Sequence, residues 1–568
     1  VRRAPLRRQQ VAASTMPRMD ASSGALGPFR LPLFRAVWLA SLVSNFGGLI
    51  QSVGAAWLML EMTRRADMVA LVQTSVALPV VLFSLMGGAM ADGLDRRRIL
   101  LAAQGFMLVV STGLALCAWL GLLSPWLLLG FTFLIGCGNA FNAPAWQASV
   151  QDMVPRPQVP AAVALNSMGF NLARSTGPAI GGAIVASVGA AAAFVVNALS
   201  YVALIAVLWR WRAVPEPRLL PRERLGSAMA AGLRYVLLSP TIRTVLVRSV
   251  LFGLGAGAVL GLLPLIAAGL VGGGAFTYGL LLGAFGLGAV LAALGSAGLR
   301  RRLSNETIVA CASLGLALAL LLAAAGGAFA LSALALMLAG AGWVLALSTF
   351  NVTVQLSAPR WVVARALALY QMAAFCGLAI GSWSWGEVAT VHGLELALRA
   401  AAVVLLLTAA LGALLPLDAS EPRNLDPLRP HREPATAVPV DARTGPVIVS
   451  IEWIIDEADI VPFLQAMAER RRIRRRDGAH QWTLLRDLHD PRLWVERYKT
   501  ATWLDYLRHK GRITQDDAEV PERLQALHRG SEPPRVRRQI ERSTHRLPFS
   551  PLDPKGAGAP EHDPARDV

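Results

Sequence analysis

Between residues 34 and 416 the chain carries twelve apolar segments, each near the ~20 residues a helix needs to cross the hydrocarbon of a bilayer. They fall at about 34–60, 68–91, 99–120, 125–148, 161–187 and 191–209, then at about 241–268, 276–299, 307–328, 330–355, 363–388 and 394–416. Lipid offers no partner for a free N–H or C=O, so such segments are predicted to be helices that satisfy their own backbones. The polar stretch 210–240 separates two sets of six.

Composition agrees. The 568 residues are 54% hydrophobic and 16% charged, with a mean hydropathy of +0.49, which excludes a soluble core inside a charged coat. A formal net charge of +18 would suit a nucleic-acid binder, but the arginines collect in interhelical loops, and no nucleic-acid partner is expected. With a cytoplasmic N-terminus, the inside loops hold Arg96, Arg97, Arg98, Arg156, the arginines between 210 and 248, Arg300, Arg301, Arg302, Arg360 and Arg365. The outside loops hold only Arg64, Arg65 and Arg399, the first two beside Glu61 and Asp67. This bias predicts that both termini are cytoplasmic. The N-terminal arginines lead into a long first segment without a small-residue cleavage site, which reads as a retained helix. Cys117, Cys137, Cys311 and Cys376 lie in apolar segments without metal-ligand spacing and read as packing thiols.

The second segment ends in Gly88 and Asp92, followed by Arg96, Arg97 and Arg98. Small residues let helices approach closely, while the arginines stay out of lipid. The eighth ends comparably, with Gly295 before Arg300, Arg301 and Arg302 but no acid, a faint internal repeat that suggests two halves rocking about a central cavity.

Arg174 stands near the middle of the fifth segment, one turn after Asn171 and two after Ser167. An arginine at bilayer centre costs about 2.5–3.5 kcal/mol on insertion scales, so it must face a cavity or a partner. It is either an anchor for an anionic or hydrogen-bonding substrate or a structural arginine satisfied by its neighbours. Asn45 and Gln51 in the first segment, Asn139 and Asn142 in the fourth, and Asn351 and Gln355 in the tenth also lie at membrane depth. Singly, each reads first as a packing amide; Asn45, Gln51, Asn139, Asn142 and Asn171 as a set with Arg174 would line a substrate path. Asp92, Arg96 and Arg97 read as a gate with Asp152 as candidate partner, or as topology anchors alone. Gly177 and Pro178 permit a kink and close packing in mid-helix. No carboxylate sits at mid-depth, and Glu61 and Glu387 lie near outer helix ends, so the residues give little support to a coupling proton. A phosphate-binding glycine loop is absent, which argues against ATP, and no cofactor is expected.

The loop at Gly88, Asp92, Arg96 and Arg97 resembles the loop 2–3 signature of the major facilitator superfamily, with Gly93 where arginine is usual and Asp95 where glycine is usual. Gly177, Pro178, Gly181 and Gly182 are similar to its exporter-associated Gly-Pro-x-x-Gly-Gly element, with Ala173 in place of the leading glycine. Blocks around Asn142 to Gln147, Leu165 to Arg174 and Arg365 to Tyr370 resemble the enterobactin-exporter and transmembrane-secretion-effector branch. The resemblance implies a twelve-helix all-α membrane protein of two six-helix bundles in a bacterial inner membrane. It implies alternating access, a small amphiphilic substrate such as a drug or siderophore, export, and a coupling proton. Metabolite uptake, or an enzyme or sensor acting through the C-terminal tail, are the alternatives.

Residues 417–446 read as a proline-rich linker. Beyond it, a strand at 447–453, a helix at 458–476, strands at 479–487 and 492–499, and helices at 502–511 and 515–528 predict a small α+β ferredoxin-like domain. It resembles antibiotic-biosynthesis monooxygenases. Trp482, Trp494, Trp503 and His509 read as core aromatics with a surface histidine, ahead of a catalytic pocket. The arginine run 470–476 reads as a solvated or lipid-touching helix face. Residues 531–568 are expected to be disordered.

Overall fold

Every apolar segment becomes a helix, and polar or proline residues set where each one starts. The first half comprises α1 (Pro32–Thr63), α2 (Ala66–Gly93), α3 (Arg96–Trp119), α4 (Pro125–Ser149), α5 (Val159–Val188) and α6 (Ala190–Arg210). A shorter helix, α7 (Leu225–Leu238), precedes the second half. That half comprises α8 (Pro240–Leu265), α9 (Ala275–Arg300), α10 (Asn305–Ala324), α11 (Phe329–Ser357), α12 (Val363–His392) and α13 (Leu394–Ala410). The computed structural model describes residues 26–211, 225–359, 361–417, 424–425, 434 and 436–541. The basic N-terminal arginines, parts of the expected linker and the tail beyond 541 lie outside it.

Proline in the first turn of α1, α4 and α8 removes an N–H that would otherwise lack a partner. Asp95, Ser124 and Ser304 accept from the backbone N–H of Arg97, Leu127 and Thr307 and so cap α3, α4 and α10. Gly189 at φ +93° breaks α5 from α6, and Gly393 at φ +91° breaks α12 from α13. The same backbone step at matching places in both halves is a stronger sign of the repeat than the basic triplets.

Among the described residues, eleven helices are long and apolar enough to cross a membrane. The remaining long helix, α5, is diluted by Asn166, Ser167, Asn171, Arg174, Ser175 and Thr176, the first hint that it lines a path. The loops with Arg96 to Arg98 and Arg300 to Arg302 share one end, here the arginine-rich face; the opposite end is the far face.

α7 lies in the stretch read as polar loop. It packs on α2, α8 and α12, with the Tyr235 hydroxyl donating to the Ser357 carbonyl at 3.3 Å. It therefore touches both halves on the arginine-rich face.

The C-terminal domain runs β1 (Val447–Ile454), α14 (Ile460–Asp477), β2 (His480–Arg486), β3 (Leu493–Thr500), α15 (Trp503–Arg512), α16 (Glu519–Leu527) and β4 (Val536–Ile540). The sheet order β2-β3-β1-β4, with every pairing antiparallel, is ferredoxin-like. β4 corrects the expectation of disorder from 531: its Arg537 and Arg538 look unstructured in sequence, but the strand pairs on one side only, and Arg537 bonds Glu452 while Arg538 bonds the Tyr506 hydroxyl.

Two further expectations for this domain are overturned. His509 is buried at 1% exposure, where its Nε2 accepts from Arg474 at 3.0 Å, rather than lying on the surface. Burial, and then the Arg474 charge, hold its pKa well below the usual histidine value. The arginine run divides by helical period: Arg470 and Arg474 turn inward to the fully buried Glu496 at 2.7 and 3.3 Å, whereas Arg471, Arg472 and Arg475 face solvent. Trp494 and Trp503 are core residues, and the Trp482 indole donates to Glu496.

The domain sits against α7 and the α11–α12 loop. Arg476 lies 5.3 Å over the Tyr235 ring and Arg512 lies 4.1 Å over Trp361, whose ring meets Tyr235 edge-on at 5.6 Å. Each cation–ring contact of this kind contributes about 0.5–2 kcal/mol. Replacing Tyr235 and Trp361 together by alanine is expected to release the domain, read as faster tryptic cleavage ahead of β1 with an unchanged elution profile.

Candidate functional site

The two halves meet along two seams. In the first, Gly182 of α5 faces the Ala275 carbonyl and Gly279 of α9, where an added Cβ would stand 2.7 and 2.9 Å from backbone atoms. Gly279 in turn faces the Pro178 carbonyl, Gly283 the Ser175 carbonyl, and Gly286 the Arg174 carbonyl. Gly177 and Gly181 point the other way, to Phe46, Leu49, Ile50 and Val53 of α1. The Gly-Pro element is thus two glycine faces that seat α5 between α1 and α9. Toward the arginine-rich face this seam ends: a Cβ added at Gly295 or Gly298 would meet nothing within 4 Å, and Ser167, Met168 and Ala164 are exposed.

The second seam joins α2 to α12 at several levels. Gly386 packs on Ala66, Asp67 and Ala70, Thr74 donates to the Ala379 carbonyl, Ser84 donates to the Ala368 carbonyl, and a Cβ added at Gly88 would just reach Ala368. Gly87, rather than Gly88, makes the tight approach to α4, at the Ala140 carbonyl.

Arg174 stands where α5 and α9 part. Its guanidinium lies 5.6 Å over the Phe285 ring, and among the described residues no carboxylate or carbonyl pairs with it. Asn171, half-buried one turn away, also has no bonded partner among them. Gly169 on Trp38 and Gly177 on Phe46 and Leu49 give the α1–α5 register, which sets half-buried Asn45 level with Arg174. Asn139 is exposed, while Asn142 accepts from Gln104 at 3.0 Å. Gln51 is removed from this group: at 5% exposure it accepts from Ser111 and Asn197, a polar knot between α1, α3 and α6. Asn351 and Gln355 bond each other along α11. A polar residue in an apolar helix carries no mark of which way it turns, so only packing could separate these cases.

On the arginine-rich face Arg96 meets Asp152 at 2.9 Å and donates to the Ala148 carbonyl at 3.0 Å. Arg97 caps α6 through the Leu208 and Trp209 carbonyls at 2.9 and 2.6 Å, and Arg98 is exposed. The side chain of Asp92 lies outside the described residues. Arg96→Ala is expected to lower the thermal unfolding midpoint by an amount matching about 1 kcal/mol, whereas Arg98→Ala leaves it unchanged.

Three constellations escaped sequence reasoning because their members are far apart in the chain. Asp67 bonds Thr390 through its N–H at 3.0 Å and its carboxylate at 3.4 Å, and it holds Arg65 at 2.7 Å. Trp57 stacks on Tyr278 at 6.2 Å. These two contacts tie the halves at the far face. Fully buried Arg248 pairs with Glu306, which also accepts from the Leu417 N–H, and so fastens α8 to α10 within the second half.

Two six-helix halves, packed together at one end and parted at the other around a polar centre, define the major facilitator fold. Residues 23–545 match the family described as transmembrane secretion effector, and the chain belongs to it. The multidrug efflux pump Tap of Mycobacterium tuberculosis (strain ATCC 25618 / H37Rv) is 28% identical over 228 residues, 38% of this chain and 53% of Tap. The chain therefore spans about half of that relative's length. The enterobactin exporter EntS of Escherichia coli O1:K1 / APEC is 29% identical over 294 residues, 51% of this chain and 69% of EntS. A bacterial homologue of the human lysosomal transporter Spinster shares the fold at a TM-score of 0.54 and 15% identity, over 68% of this chain and 97% of that one.

Proposed function

We propose that the chain exports a small amphiphilic molecule, drug-like or siderophore-like, by alternating access across a bacterial inner membrane. The observation that carries this is the α5–α9 seam, which is packed through the far half and ends at Arg174 and Gly286. One end closed and one end parted around an unpaired polar centre is what alternating access requires of a single state. Exporters resembling the chain, Tap and EntS among them, favour the outward direction.

The arginine-rich face is the cytoplasmic one in this reading, with both termini on that side. Asp92, Arg96, Arg97 and Asp152 form the inner rim, and Gly177, Pro178, Gly181 and Gly182 form the bearing surface. A proton is the coupling ion, and Glu61, Asp67, Glu387 and Glu395 are the described helix carboxylates near the outer side. The ferredoxin-like domain serves structure or regulation rather than catalysis: Arg470, Arg474 and Glu496 fill its interior with paired charge. The surplus of arginine serves loops and helix ends, not nucleic acid.

Purified protein in vesicles with an imposed pH gradient tests the proposal. Dye movement toward the far-face side that stops when the gradient is collapsed supports it; accumulation only in the opposite direction overturns it.

A further inference from the structure

We propose that the cleft where α5 and α9 part takes an organic anion, held at its acid group by Arg174. This deepens the exporter reading and rests on the cleft being the substrate path.

The argument starts from charge. Arg174 lies fourteen residues from the nearer end of α5 (188 − 174), and it is the one charged group among the described residues more than three turns from any end of these helices. The acids Glu61, Asp67, Glu306, Glu387 and Glu395 all stand within two turns of a helix end. Buried Arg248 nearer a helix end is already paired with Glu306, so at mid-depth the described residues offer one unpaired positive charge, Arg174, and no carboxylate. A cation entering this cleft meets repulsion; an anion meets the partner that Arg174 lacks.

Geometry then narrows the class. The guanidinium carbon lies 5.6 Å from the Phe285 ring centre, and no described acceptor takes its N–H groups, whose fork matches a carboxylate, sulfonate or phosphate. Asn171 and Asn45, both without bonded partners among the described residues and near the same level, add donors and acceptors for a polar neighbour of the acid group. Around them stand the apolar flanks of α5 and α9, which suit a hydrocarbon or ring body. The ligand is amphiphilic with its charge at one end.

A matched pair of probes isolates the charge: a dansyl amino acid and its methyl ester, bound to the full-length protein in detergent and read by fluorescence anisotropy. The acid is expected to bind about 10- to 100-fold more tightly than the ester. Arg174→Gln should erase that difference, and Arg174→Lys should keep most of it. Equal binding of acid and ester to the unaltered protein overturns the proposal, as does a preference that survives in Arg174→Gln. Transport separates the two readings: vesicles that export the ester and ignore the acid would leave the exporter standing and remove the anion site.

Discussion

Gly279→Leu is expected to trap the protein open at the far face and to stop substrate exchange. The three atoms nearest to a Cβ added at this position are all backbone: the Pro178 carbonyl oxygen and the Cα and N of Gly182. Backbone held in two packed helices cannot step aside as a flexible side chain would. Overpacking of this kind costs about 1–3 kcal/mol, a shift of roughly 5- to 150-fold in the balance between the closed and opened far face. Tyr278 reports the change, because it is buried under Trp57 while the seam is closed. In a background without Cys117, Cys137, Cys311 and Cys376, a Tyr278→Cys reporter should react with an impermeant maleimide many times faster once Gly279→Leu is added. An unchanged labelling rate would show that the α5–α9 seam is not the outer barrier.

Glu496→Gln should unfold the ferredoxin-like domain while leaving the helices in the membrane. Glu496 is fully buried and serves Arg470, Arg474 and the Trp482 indole at once. Removing its charge leaves two buried guanidiniums without their partner, a loss of about 3–5 kcal/mol. Much of a small domain's stability of about 5–15 kcal/mol would go with it. The same pair sets an acid limit. Burial pushes the Glu496 carboxyl up, but the Arg470 and Arg474 charges outweigh it and hold the group below the usual carboxylate range. A depressed pKa stabilises the fold above the unfolded value of about 4.3 and forfeits that stability as pH falls through the folded value. The domain should hold from neutral pH down to about 5 and lose its near-ultraviolet circular dichroism below about 4.

The membrane-embedded elements were largely legible in the sequence because lipid imposes one rule, a length of apolar helix, that local composition states directly. Arg174 was legible for the same reason: its type is anomalous wherever it points. The α5–α9 contact was half legible. Gly177, Pro178, Gly181 and Gly182 announce close packing, but their partners Gly279, Gly283 and Gly286 are scattered in a helix rich in glycine and alanine, where no single residue stands out. α7 was hidden because its apolar face is built largely from Ala228, Ala231, Tyr235 and Val236, too short a pattern to rise above a polar loop. The Arg248–Glu306 and Asp67–Thr390 pairs join residues from different helices, so nothing in the local sequence marks them. The arginines of α14 misled for a related reason: charge suggests solvent, and only the buried Glu496 on a neighbouring strand turns Arg470 and Arg474 inward.

The two seams are unequal, and that inequality sets the kinematics. α2 stays against α12 from Ala66 beside Gly386 to Ser84 and Gly88 beside Ala368, while α5 leaves α9 halfway. The halves are thus bound like the covers of a book, with α2 and α12 as the spine and the α5–α9 flank as the fore-edge. Displacement grows with distance from the spine, so the opening is lopsided, widest along the flank where those pages fan apart.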